Sequence, residues 1–281
     1  MHKEIEKKYI NACKQIITNT ENFNTFKRNK DYQLILSGGE KIIGNQAIKK
    51  IKRYNKFNEL KNDLINIKYN DSLGLPVLHH YNSLGMIDPS TLKYYSDYIE
   101  LKNFIQEKQI DNIIEIGGGY GGLALILNMF FKIKSYHLID LEMPLKLQFK
   151  YLNQLVENKN TFNFYNEINN IKVQNFDLLI ADASLAELDE NKINQYFSLL
   201  KKSQNVYISF NTLHLKQCRS NFKSLIKKIK EIFFYEIYYD HWNKVLIFGS
   251  KKKLNFKFQK NYSHYVNYFF YKTFSSINNF F

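Results

Sequence analysis

Five of the chain's 11 glycines fall within six residues, Gly117-Gly118-Gly119-Tyr120-Gly121-Gly122. Glycine loses more backbone entropy on folding than any other residue, so a cluster of this density needs a local reason. The run follows the short apolar segment Asn112-Ile113-Ile114-Glu115-Ile116 and precedes an apolar stretch over 123–131. That order predicts a buried strand, a tight turn and a helix. A strand that feeds a helix through such a turn begins a parallel α/β sheet, with backbone left bare for close approach of a ligand.

The residues downstream keep the same alternation. Strands are predicted at 136–140, 162–165, 176–182 and 205–210, with helices over 145–156, 192–202 and 221–233. Strands 235–240 and 244–249 close the pattern, separated by His241-Trp242-Asn243. Three residues are too few for a crossover helix, so this last pair must be antiparallel. Upstream, residues 2–18 predict an amphipathic helix carrying Tyr9, Cys13 and Ile16 on one side, and the lysine-rich stretch 40–69 reads as helical. Residues 71–85 hold turn formers and read as a loop, after which Ser90 caps a helix through Leu92, Tyr95, Ile99 and Phe104. The expected organisation is a helical cap with a covering loop over 1–107, a seven-stranded Rossmann-like α/β core over 108–252, and an aromatic tail over 253–281. The tail reads as packing over a sheet edge or as a homodimer contact.

Composition removes several function classes. With 44% hydrophobic and 23% charged residues the chain can bury a sizeable core. The net charge of +14 invites a nucleic-acid partner, but Arg28, Arg53 and Arg219 are the only arginines. Lysine lacks the guanidinium fork that reads phosphates and bases, so no nucleic-acid partner is expected. The excess lysine is assigned to solvated faces, with a lesser use in steering an anionic substrate toward a cleft. No apolar run reaches membrane-spanning length, and the start lacks the pattern of a secretory signal. Cys13 and Cys218 form no CxxC, which argues against a disulfide framework and a zinc site. The expectation is a cytoplasmic protein with reduced thiols and no integral membrane segment.

Two ligands suit the glycine turn. Gly117-x-Gly119-x-x-Gly122 fits the dinucleotide fingerprint, and Asp140, 18 residues after Gly122, closes the second strand where a carboxylate accepts hydrogen bonds from ribose hydroxyls. A nicotinamide-dependent oxidoreductase therefore stays open as an alternative. Glu115 points the other way, completing an ExGxGxG pattern. A carboxylate there attracts the ammonium of an amino-acid moiety and disfavours a pyrophosphate at the helix start. The terminal hairpin agrees, because a doubly wound sheet that ends so is the usual plan of class I methyltransferases using S-adenosyl-L-methionine. Donor contacts are expected from Glu115, Gly117, Gly118, Gly119, Tyr120, Gly121, Asp140, Leu141 and Asp182, with Tyr120 turning an aromatic face to the sulfonium.

The stretch Ile113 to Gly122, with Leu138-Ile139-Asp140-Leu141 leading to Gln148 and Tyr151-Leu152, resembles the sugar O-methyltransferase family associated with bacterial surface-polysaccharide pathways. Asp88-Pro89-Ser90-Thr91-Leu92-Lys93-Tyr94 is similar to the family's segment before the core, with Lys93 where arginine is more usual. Asp177-Leu178-Leu179-Ile180, Glu187-Leu188 and Tyr196 resemble its fourth strand and following helix, with Asp182-Ala183 in place of Asn and Tyr. The resemblance covers roughly residues 70–250. It implies a sugar or nucleotide-sugar acceptor; another small acceptor, such as a phosphate-derived glycan group, and a non-catalytic binding module remain as alternatives.

Methyl transfer to a hydroxyl gains from a general base near the reacting oxygen. Glu187, after the fourth strand, and His214, after the fifth, are the candidates. His79, His80, Tyr81, Lys93 and Asn211 are expected to shape the acceptor site. Structural roles stand beside these: Asp182 as a helix cap, Glu187 as an exposed helical acid, His214 as a surface histidine. No metal is expected, because adjacent His79 and His80 diverge on a strand without an accompanying acidic cluster.

Overall fold

The computed structural model describes residues 3–36, 39–105, 109–185, 188, 190–211, 219–240 and 244–253. The boundary expected at 107/108 and the residues beyond 253 lie outside these. Helices α1 (Lys3–Thr18), α2 (Thr20–Asn24), α3 (Lys30–Leu36), α4 (Lys41–Arg53) and α5 (Phe57–Ile67) form the cap. A hairpin of β1 (His79–Tyr81) and β2 (Gly85–Ile87) leads into the 17-residue helix α6 (Pro89–Ile105). Three expectations are corrected here. The stretch 40–69 breaks into two helices at Asn55, whose φ of 57° is left-handed. The segment read as a loop over 71–85 contains β1 and ends at the first residue of β2. The α6 cap is Asp88, whose Oδ1 accepts from the Ser90 N–H at 2.9 Å, with Pro89 at the first helical position, where its missing N–H costs nothing.

Beyond α6, strands and helices alternate: β3 (Asn112–Ile116), α7 (Gly122–Phe130), β4 (Ser135–Ile139), α8 (Glu142–Leu155), β5 (Phe162–Tyr165), β6 (Phe176–Asp182), α9 (Glu190–Lys202), β7 (Ser203–Asn211), α10 (Arg219–Ile232), β8 (Phe234–Asp240) and β9 (Lys244–Ser250). The α8 helix begins earlier than expected because Pro144 lies in its first turn, where no helical N–H bond is needed. The sheet runs β5-β4-β3-β6-β7-β9-β8, parallel up to β7, with β9 antiparallel to both its neighbours. This is the Rossmann-like, seven-stranded α/β sheet expected, closed by the antiparallel hairpin strand.

Period-two alternation sorts the core into two layers. Ile113, Leu178, Ile180, Tyr207 and Phe248 face α6, α7, α8 and the cap; Ile114, Ile116, Leu179, Val206 and Ile247 face α9 and α10. Cap residues Cys13, Ile16, Phe26, Ile51 and Leu60 belong to the first layer, so the cap shares the sheet's core. Among the described residues no helix is long and apolar enough to cross a membrane.

A buried ionic cluster ties cap to sheet. Lys50 of α4 places Nζ 2.6 Å from Glu100 Oε2 and 3.1 Å from Asp97 Oδ1, both on α6. Tyr207 of β7 donates its hydroxyl to Glu100 Oε2 at 3.3 Å. Truncating one partner of such a cluster leaves charge uncompensated in a poorly solvated place. Lys50→Met should therefore lower unfolding free energy by about 3 kcal/mol, measured by urea denaturation; a loss near zero would show that the cluster is not coupled to folding.

Candidate functional site

Strand order reverses between β3 and β6, which are neighbours while the chain winds outward from each in opposite directions. In a doubly wound sheet the loops leaving such strand ends diverge, which makes this the expected place for a ligand crevice. The glycine turn forms one wall. Gly117 has φ 76°, a left-handed value that side chains disfavour, and a Cβ there would lie 2.5 Å from Ser184 Cβ. Ser184 follows β6 and donates its hydroxyl to the Ile116 carbonyl, so the ends of β3 and β6 are stitched directly over the turn. At Gly118 a Cβ would lie 2.6 Å from Leu138 Cδ2, which fixes the turn against β4.

Asp140 follows β4 at the second wall. Its Oδ1 accepts from the Leu141 N–H at 2.8 Å and its Oδ2 from Gln148 Nε2 at 2.8 Å. Gln148 also donates to the Gly119 carbonyl at 3.1 Å, clamping the acid to the glycine turn. Its own Oε1 is buried without a hydrogen-bond partner among the described residues. Burial pushes the Asp140 carboxyl up to about 6, against the bonds from Leu141, Gln148 and Gly118.

Glu115 lies on the same layer, 2% exposed, and accepts from the Tyr136 hydroxyl at 2.7 Å. Burial raises its carboxyl to about 7; the Asp182 and Asp140 carboxylates add to the rise, while the Tyr136 hydroxyl and Lys93 oppose it. Asp182, at the end of β6, accepts from Ser209 and pairs through Oδ2 with Lys93 Nζ at 2.6 Å. Lys93 also reaches Asp97 Oδ2 at 2.9 Å, and these carboxylates hold its ammonium charged despite burial. Glu115 and Asp140 have no ion-pair partner among the described residues, so a cation brought beside them would favour their charged forms.

Other expected site residues are distributed differently. The Tyr120 ring is buried against Phe26, Tyr94 and Tyr151, and Lys27 Nζ sits 4.8 Å from its centroid. Its hydroxyl accepts from Asn70 Nδ2 at 3.2 Å. The aromatic face expected to meet a sulfonium thus already carries a lysine ammonium. Tyr81 is buried away from the glycine turn, donating to the Lys41 carbonyl at 3.2 Å and filling the space beside Gly44. His79 Nε2 lies 2.7 Å from the Gly39 carbonyl, and His80 is exposed. Leu141 is the residue before α8, half-buried. Asn211 ends β7 opposite Lys244, its side chain outside the description. Glu187 and His214 lie outside the described residues.

Four cap and helix residues escaped the sequence reading of the site. Tyr9 of α1 reaches over the turn, its hydroxyl 3.5 Å from the Gly119 carbonyl. Tyr94, next to Lys93, stands at the start of α7 beside Tyr120. Lys27 carries no motif. Gln148 had a usable signal, since it sits eight residues after Asp140 on the helix that Asp140 precedes.

Among the described residues no group of three or more His, Cys, Asp or Glu side chains is arranged to hold a metal ion. The turn itself is open to a direct test. Gly117→Ala forces a side chain into left-handed backbone, at about 1–2 kcal/mol, and collides with Ser184. In a thermal-denaturation cycle, Ser184→Gly should recover the collision part and leave the backbone part; full additivity of the two substitutions would show that they do not meet.

No protein-family model matches the sequence, and no curated protein matches it. Solved structures do resemble it in fold. The methyltransferase domain of bacterial CtHen1 is 15% identical over 54% of this chain and 95% of that one, with a TM-score of 0.42. The N-methyltransferase NodS from Bradyrhizobium japonicum, solved with S-adenosyl-L-homocysteine, is 14% identical over 57% of this chain and 88% of that one, with a TM-score of 0.43. PigF, also solved with S-adenosyl-L-homocysteine, is 12% identical over 57% and 59%, at 0.42.

Proposed function

We propose that the chain is an S-adenosyl-L-methionine-dependent O-methyltransferase acting on a sugar hydroxyl of a nucleotide-linked sugar or surface-polysaccharide precursor. The observation that carries the donor is the charge at the strand ends: Glu115, Asp140 and Asp182 surround the glycine turn, and Lys93 is already shared between Asp182 and Asp97. A ligand bearing a sulfonium and an ammonium against one carboxylate would favour the charged forms of Glu115 and Asp140. The pyrophosphate of a nicotinamide dinucleotide would disfavour them, so the oxidoreductase alternative is not favoured. The sugar acceptor rests on the resemblance of residues 70–250 described above.

When bound, the donor supplies a methyl group already activated toward in-line displacement. In this reading Asp140, held by Gln148, accepts both ribose hydroxyls, and Glu115 attracts the ammonium. The Lys93–Asp182 pair orders the acceptor side, which aligns a hydroxyl oxygen with the methyl group. Glu187 or His214 takes the hydroxyl proton as the oxygen attacks.

Asp140→Ala should weaken donor binding by about 1.5–3 kcal/mol, roughly 10- to 150-fold, in titration calorimetry, and unchanged affinity would reject the ribose assignment. The pH dependence follows in sign. A raised carboxyl is protonated below its pKa and loses its hold on hydroxyls or an ammonium, so donor affinity should rise with pH across the values of about 6 for Asp140 and about 7 for Glu115. Asp140→Asn should remove the lower part of that rise and Glu115→Gln the upper part. Glu187→Gln or His214→Ala should keep donor binding while turnover falls about 100-fold or more, followed as methylated product by mass spectrometry; full turnover in both would discard the two bases.

A further inference from the structure

Between the cap and the start of α6 lies a cavity of about 30 Å³, walled by Lys27, Tyr32, Asp88, Ser90, Tyr94 and Tyr120. That volume holds one water or one hydroxyl group. Its polar lining is deeply buried: Tyr32 is 2% exposed and Lys27 8%. The Tyr32 hydroxyl is buried without a hydrogen-bond partner among the described residues, an arrangement that costs free energy unless a ligand or water completes it. Pro76 and Val77 form part of the lining as well, and Val77 is exposed, so the cavity has an outer rim.

The inner end adjoins the glycine turn, since Tyr94 and Tyr120 both line the cavity and a Cβ at Gly122 would lie 2.5 Å from the Tyr94 ring and 2.6 Å from the Tyr120 ring. Charge in the cavity is already matched, since Lys27 Nζ lies 4.0 Å from Asp88 Oδ2 and donates to the Asn70 carbonyl. Burial lowers the Lys27 ammonium to about 8 and raises Asp88, with each moderating the other's shift. A phosphate placed here would meet the Asp88 carboxylate at close range. A neutral hydroxyl would not, and it both donates and accepts, as the phenol, carboxylate and ammonium around it require.

We propose that this cavity receives one non-reacting, uncharged hydroxyl of the acceptor, and so orients the acceptor from the cap side while the anionic part of the molecule stays outside. The proposal rests on the sugar-methylation reading and adds a specificity subsite to it.

The test measures methyl transfer from S-adenosyl-L-methionine to UDP-glucose, UDP-galactose, GDP-mannose and the matching methyl glycosides, for the full chain and for Tyr32→Phe and Val77→Trp. Donor dissociation constants are measured in parallel by calorimetry. For whichever probe the parent chain methylates, Tyr32→Phe should raise the acceptor KM about tenfold, with donor affinity held within about twofold. Val77→Trp, which fills the rim without touching the buried polar groups, should suppress transfer with donor binding retained. An unchanged acceptor KM in both variants, the result expected if the cavity holds only water, overturns the proposal. So does a loss of donor affinity in Tyr32→Phe, which would assign that hydroxyl to the donor. A parent chain that binds the donor and methylates no probe overturns the sugar reading itself, and the subsite with it.

Discussion

The Lys93 ammonium, bonded at once to Asp97 on its own helix and to Asp182 at the end of β6, fixes how the cap meets the sheet. The pair itself is half-buried, and it adjoins the buried Asp97, Lys50 and Glu100, where an ion is tolerated when its partners are in place and penalised when they are not. The cluster continues through Asp97 to Lys50 of α4 and, through Glu100, to Tyr207 of β7. One helix, α6, thereby carries charges that bind it to the cap on one side and to two strands on the other. Its register is set by those pairings, and with it the positions of Tyr94 above the glycine turn and of Asp88 at the cavity.

The same economy of solvent governs the crevice. Glu115 and Asp140 are both pushed toward neutrality by burial, although hydrogen bonds from Tyr136, Leu141 and Gln148 resist it. Apolar residues at these positions would pack at lower cost, so the acids are not explained by stability. A cationic ligand with hydroxyls would restore their charged forms. The stability given up at Glu115 and Asp140 and the affinity proposed for the donor are thus two sides of one electrostatic arrangement.

Legibility in the sequence tracked the distance between interacting residues along the chain. The glycine turn, the acid before it, Asp140 and the final hairpin are local features, and all stand where their spacing put them. Tyr120 and Tyr81 were assigned to ligands because their partners come from far away: Asn70 lies 50 residues from Tyr120, and Lys41 lies 40 from Tyr81. Ser90 lost the capping role to Asp88 because Pro89, lacking an N–H, made the residue before it the effective start. The small hairpin that begins in the segment read as a loop is hidden by its three-residue strands, too short for alternation to register.

By itself the sequence determined the order of strands and helices and the place where the backbone is bare, because hydrophobic period and glycine content act over a few residues. Tertiary structure alone decided which side chains meet there. Lys27 has no motif, yet packing delivers its ammonium to the Tyr120 ring; Tyr32 is one tyrosine among 21, yet the fold leaves its hydroxyl unpaired beside a cavity. Such meetings depend on long-range packing of cap on sheet, which no local pattern encodes, and on the cost of burying polar groups, which becomes visible only once the surrounding surface is closed.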